Sequence, residues 1–158
     1  MSLNMPDPKD VLDTIETMLG KNPGMVAGGD AIDLAKPPAG TYLVPLNSEA
    51  GEIVGAIIAN IGATVYLGGS LIMMPEGGLG DQVRSNEPEE VVLEAFEEVI
   101  NMLRGVVSKA EGNQRVTPGE ARPLKKGGDD DWVAESANRL DLSGSVSFGP
   151  VQLAIVGR

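Results

Sequence analysis

The chain has 158 residues, 42% of them apolar and 3% aromatic, which suits a single domain with a core of Val, Ile, Leu, Met and Ala. Its net charge of −11 argues against nucleic-acid and anionic-membrane partners, which need basic patches. It has no Cys and no His, which excludes disulfides, thiolate metal sites and imidazole bases; any catalysis must use carboxylates, amides, hydroxyls, Lys or Arg, or a partner's groups.

The N-terminus lacks a basic stretch followed by an apolar core, so no secretory signal is expected and a cytoplasmic location is. Met1-Ser2-Leu3 reads as an expression-vector addition, and residues 1–5 are expected to be disordered or tag-derived. Asp7 is the expected N-cap of a helix whose first residue is Pro8. Val11, Leu12, Ile15, Met18 and Leu19 form its apolar stripe, and Gly20 or Asn22 ends it. Met25–Ile32 is a candidate strand and 36–40 a loop. Thr41–Leu46 is a second strand, in which Pro45 implies an edge or a bulge.

Ile53–Met74 carries no charge and is long enough to span a bilayer as a helix. Its glycines (Gly55, Gly62, Gly68, Gly69), Asn60 and β-branched residues, without a flanking Lys/Arg cluster, favour two strands instead. These are Ile53–Asn60 and Ala63–Met73, joined by a tight turn at Asn60-Ile61-Gly62. Apolar on both faces, they belong in mid-sheet. Pro75–Asn86 is a Gly-rich connector with room for one short helical turn. Its Gly77-Gly78-Leu79-Gly80-Asp81 lacks the Lys-Ser/Thr of a phosphate loop and reads as a flexible turn.

Glu87–Gly105, EPEEVVLEAFEEVINMLRG, is a strongly amphipathic helix. Asn86 and Glu89 suggest a capping box for it. Val92, Phe96, Val99, Leu103 and Val106 share one side; Glu94, Glu98, Asn101 and Gly105 fall roughly opposite. Asn costs up to ~0.7 kcal/mol and Gly about 1 kcal/mol relative to Ala in a helix. Placed where packing does not demand them, Asn101 and Gly105 point to a contact surface. Gly105 lets another surface approach, and the Asn101 amide can donate and accept at once. A merely solvated helix face is the plain alternative.

Residues 108–131, rich in Gly, Pro and charge, read as a flexible insertion. Asp129-Asp130-Asp131 lacks the alternating spacing of a calcium loop and reads as solvated, with Trp132 anchoring it to the core. Leu140–Phe148 alternates apolar and polar residues as a half-buried strand, and Gly149-Pro150 turns the chain into a last strand, Val151–Val156. No sequence repeat is apparent.

The spacing Glu98-x-x-Asn101, with Pro123 about two dozen residues later, resembles the signature helix of the CheC/CheX/FliY family of phosphatases that act on the response regulator CheY. The order of elements looks most like CheX, which has one such helix. Glu94 stands where the family has Asp or Ser, a departure. The resemblance implies an α+β domain over residues 1–158, with a mostly antiparallel sheet packed against two main helices, the N-terminal and the signature helix. It implies that Asn101 orients a water for in-line attack on an aspartyl phosphate. It implies that Glu98 pairs with the regulator's active-site Lys, with Glu94 and Gly105 at the partner contact. No cofactor or metal of its own is implied; Mg²⁺ would come from the regulator. The partner is a phosphorylated CheY-like receiver, and a homodimer is expected. A non-catalytic CheX-like binding or dimerisation module, or an unrelated acidic α+β domain, are the alternatives.

Overall fold

The uncharged run after Ile53 divides into a strand and a helix, and the other elements are arranged about that pair. The computed structural model describes residues 3–158. In chain order, α1 (Pro8–Leu19) leads to β1 (Met25–Ala27), β2 (Tyr42–Asn47) and β3 (Ile53–Ala59). Three helices follow: α2 (Ile61–Leu71), α3 (Glu76–Ser85) and α4 (Glu90–Lys109). Two short strands, β4 (Thr117–Pro118) and β5 (Arg122–Pro123), precede the one-turn helix α5 (Trp132–Glu135). The hairpin of β6 (Arg139–Val146) and β7 (Gly149–Gly157) closes the chain.

Every strand pair is antiparallel, and the 7-stranded sheet runs β1-β6-β7-β3-β2-β4, with β5 also on β2. The expected α+β class with an antiparallel sheet is what the chain forms. The order is palindromic with respect to two halves of the chain, α1-β1-β2-β3 and α4-β4-β6-β7. Each half gives its first strand to the outer side of the other half's hairpin. A pseudo-twofold therefore passes between β3 and β7, although no repeat in the residues marks it.

Helix α1 forms as its residues dictate. The Asp7 carboxylate accepts from Lys9 N, Pro8 opens the first turn, and Gly20 ends the helix at φ 70°. Val11 and Ile15 are buried, with Leu12, Met18 and Leu19 partly so. Pro45 sits between the segments of β2 that pair with β4 and with β5, where its missing N–H breaks no ladder bond; its carbonyl accepts from Gly119 N at 2.9 Å.

Helices α1, α2 and α4 cover one face of the sheet. Ile57, Ala59, Leu153 and Ile155 meet Ile15, Leu67, Phe96, Val99 and Leu103 there. Ala56, Ile58, Ala154 and Val156 face the other way, onto Ile32, Leu34 and Val133. Trp132 packs beside that second cluster, with the Arg158 guanidinium 5.3 Å from its ring centroid, so it anchors its loop as expected.

Four expectations are corrected. Ala63–Met73 is not a strand: the segment is the helix α2, capped by Asn60, whose Oδ1 accepts from Ala63 N at 2.8 Å. It is apolar all round because it is buried all round, between sheet and helices, and tertiary packing overrides its β-branched composition. Pro75–Asn86 is not a connector with one turn; Glu76–Ser85 is helical, and Gly77–Asp81 lies inside it. The capping box of Asn86 and Glu89 does not form. Asn86 ends α3 in the left-handed region at φ 57°, and the Glu89 N–H is met by Gln82 Oε1 at 2.7 Å. The reading of residues 1–5 as disordered or tag-derived falls partly on Met1 and Ser2, outside the described residues; of the remainder, Leu3 and Asn4 are ordered. Leu3 is wholly buried, its carbonyl accepts from Asn138 Nδ2 at 2.6 Å, and the Asn4 N–H donates to Asn113 Oδ1 at 2.7 Å.

Candidate functional site

Helix α4 has 20 residues, an axis of about 30 Å, with one flank glued to the fold. Val92, Ala95, Phe96, Val99, Ile100, Leu103 and Val107 are buried. Val107 takes the place expected for Val106, which is half-buried. The helix lies very close to α2 at Gly68: a Cβ there would run into the Val92 carbonyl and stand 2.9 Å from Phe96 N. Only Gly allows that approach.

The opposite flank faces outward. Glu94, Glu98, Asn101 and Met102 are exposed, and Gly105 is half-exposed. Glu98 and Asn101, three residues apart, are neighbours on the helix surface. No ion pair involves Glu94 or Glu98 among the described residues. Asn101 Oδ1 accepts from Arg104 Nε at 3.3 Å, and its NH2 has no partner among the described residues. A Cβ on Gly105 would meet open space. Beside it lies a shallow hollow of about 360 Å³, bordered by Thr14, Asn101, Met102, Arg104 and Lys109. Among the described residues, no carboxylate lines it. The helix is acidic at its start (Glu90, Glu94, Glu97, Glu98) and basic at its end (Arg104, Lys109), which complements its dipole.

Two further contacts hold the helix in register with the rest of the molecule. Glu97 Oε2 accepts from Ala121 N at 3.0 Å, tying α4 to the bend between β4 and β5. Ser108 Oγ accepts from Val116 N at 3.0 Å. Pro123, two residues beyond Ala121, pairs opposite Tyr42 in β5.

The structure thus brings all four residues singled out in the sequence, Glu94, Glu98, Asn101 and Gly105, onto one exposed strip. Sequence reasoning passed over Arg104; a cation three residues after the amide was the available signal. Elsewhere, Asp129–Asp131 is not a free carboxylate cluster. Asp130 grips Arg122 with two bonds of 2.7 and 3.1 Å, and Asp131 Oδ1 accepts from Gly127 N at 2.9 Å. The bond from Asp130 holds the Arg122 guanidinium above its usual pKa. A hollow of about 240 Å³ between Leu34, Leu124 and Val133 lies on the other side of the sheet from Asn101.

At the level of sequence, no family model matches this chain and no curated protein does. The fold, however, is that of the CheC-like, CheX, FliY and FliM proteins. FliM in a complex with SpeE from H. pylori superposes at a TM-score of 0.67 with 7% identity, over 95% of this chain and 80% of that one. FliY from Thermotoga maritima gives 0.57 and 11%, over 92% and 81%. CheX from Borrelia burgdorferi, in a complex with CheY, BeF3 and Mg²⁺, gives 0.52 and 18%, over 97% and 98%.

Proposed function

We propose that this chain is a CheX-like phosphatase of a phosphorylated, CheY-like response regulator. The observation that carries the reading is the outward Asn101, its NH2 unengaged, one turn from an unpaired Glu98 on a helix anchored along its opposite flank. The occurrence of this fold in a CheX bound to CheY supports it. The reaction breaks the bond between phosphorus and the regulator's aspartyl oxygen and forms one to a water oxygen. The carboxylate leaves with its electron pair, and the water's proton passes to phosphate or solvent. Such a step is mainly positioning and charge stabilisation, so a chain without His, Cys or metal of its own suffices. Asn101 orients the water, Glu98 pairs with the regulator's Lys, and Mg²⁺ belongs to the regulator. Glu94 and Gly105 lie at the edge of the contact. A homodimer through its sheet would have to use an outer edge such as β1, because β3 has neighbours on both sides.

The test is to mix the protein with a phosphorylated CheY-like receiver and follow phosphate loss. Asn101→Ala should return the rate to the receiver's own while the circular dichroism spectrum stays the same. A wild-type rate in that variant refutes catalysis.

A second reading, a non-catalytic binding module, is favoured by two observations. Glu94 replaces the family's Asp or Ser, and the fold matches FliM in a complex with FliG from H. pylori at a TM-score of 0.60. Receiver binding without accelerated phosphate loss would select it.

A further inference from the structure

We propose that Arg104 is a positioning residue for Asn101; the inference rests on the phosphatase reading above. Arg104 Nε donates to Asn101 Oδ1 at 3.3 Å, across one turn of α4. The pairing is unusual for this chain. Arg84, Arg122 and Arg139 each bond an aspartate; Arg104, like Arg115 and Arg158, has no carboxylate within ion-pair distance among the described residues, and it alone of the six bonds a side-chain amide.

Of the other helix positions next to Asn101, Gly105 has no side chain and open space at its Cβ site, Glu97 is engaged by Ala121 N, and Glu98 makes no hydrogen bond to the amide among the described residues. Arg104 is therefore what orients the amide. An amide oxygen has two lone pairs and an amide nitrogen two N–H donors. Arg104 takes one lone pair. The second remains to accept from a water, and both N–H groups are without a partner among the described residues. An exposed Asn without this restraint samples several side-chain rotamers. Most of them misplace the water, and a misplacement of about 1 Å can cost on the order of 100-fold in rate.

The atom that matters is Nε, and two substitutions separate it from the charge. Arg104→Gln keeps a nitrogen donor at the same place along the side chain and loses the charge. Arg104→Lys keeps the charge and puts a methylene at that place. With the full chain and a receiver phosphorylated by acetyl phosphate in Mg²⁺, Arg104→Ala and Arg104→Lys should lower kcat roughly tenfold with KM nearly constant. Arg104→Gln should stay near wild type.

Retention of activity by Lys but not Gln overturns the proposal in favour of a charge contact. So does a rise in KM at constant kcat. An inactive Asn101→Ala beside a fully active Arg104→Ala refutes the positioning role alone. A fully active Asn101→Ala removes the phosphatase reading and this inference together. Independently of activity, the side-chain ¹H–¹⁵N signals of Asn101 should move in Arg104→Ala, and an unchanged spectrum means that the bond does not form in solution.

Discussion

Glu94, Glu98, Asn101 and Gly105 differ in what they contribute, and substitutions separate their roles. Gly105 touches nothing that a methyl group would meet, so Gly105→Ala should raise stability by about 1 kcal/mol through helix propensity, read in thermal unfolding. If a receiver docks closely there, the same variant should raise KM for the phosphorylated receiver. A stabilised variant with unchanged KM removes Gly105 from the contact. Glu94 is exposed and has no ion pair among the described residues, one turn before Glu98. Brought near a phosphoryl group, it repels. Glu94→Ser should therefore raise kcat/KM a few-fold at low salt, with the gain shrinking as salt screens the charge. These four positions were legible in the residues because an Asn and a Gly on a helix surface are locally costly. Arg104 was not, because its role depends on which neighbour its side chain reaches.

Among the elements, α2 and α4 decide whether the site is held rigid. Their backbones approach at Gly68, where a side chain would collide with the main chain of α4 at Val92 and Phe96. Gly68→Ala should destabilise by ~1–3 kcal/mol, and urea unfolding should report it. Asn60 caps α2 and also bonds β7, accepting from Gln152 N at 3.0 Å and donating to the Pro150 carbonyl at 3.0 Å. Its cap alone is worth about 1 kcal/mol. Helices α1 and α4 could be read from the chain because each has a polar flank, so their apolar residues recur with helical spacing. Helix α2 could not. A segment enclosed on every side has no polar flank to set a period, and three glycines and three β-branched residues made it look extended. The signal in hindsight is Asn60, an N-cap residue where a turn was expected. Helix α3 was hidden for a related reason: Gly77, Gly78 and Gly80 lower its intrinsic propensity, and its start has no side-chain cap.

Across the whole molecule, the palindromic sheet makes the chain's ends and its centre interdependent. Leu3 is buried against Gly55 of β3, and its carbonyl is bonded by Asn138 just ahead of β6. Leu3→Ala should cost ~2–5 kcal/mol, as for other large-to-small core substitutions, and lower the Tm accordingly. An unchanged Tm would mean that the first residues do not pack there. No helix among the described residues is long and apolar enough to cross a membrane, and the uncharged run after Ile53 is divided between the buried strand β3 and the buried helix α2.

By itself the chain determined the amphipathic helices α1 and α4, the β6–β7 hairpin and the strip from Glu94 to Gly105. All of these rest on spacing or capping within a few residues of one another. Tertiary structure alone decided that Ile61–Leu71 is a helix, that Leu3 belongs to the core, that the two halves exchange their first strands, and that Arg104 reaches Asn101. Each of these turns on what is packed against a segment from elsewhere in the chain, and burial on all sides erases the polar-apolar contrast from which local structure is read.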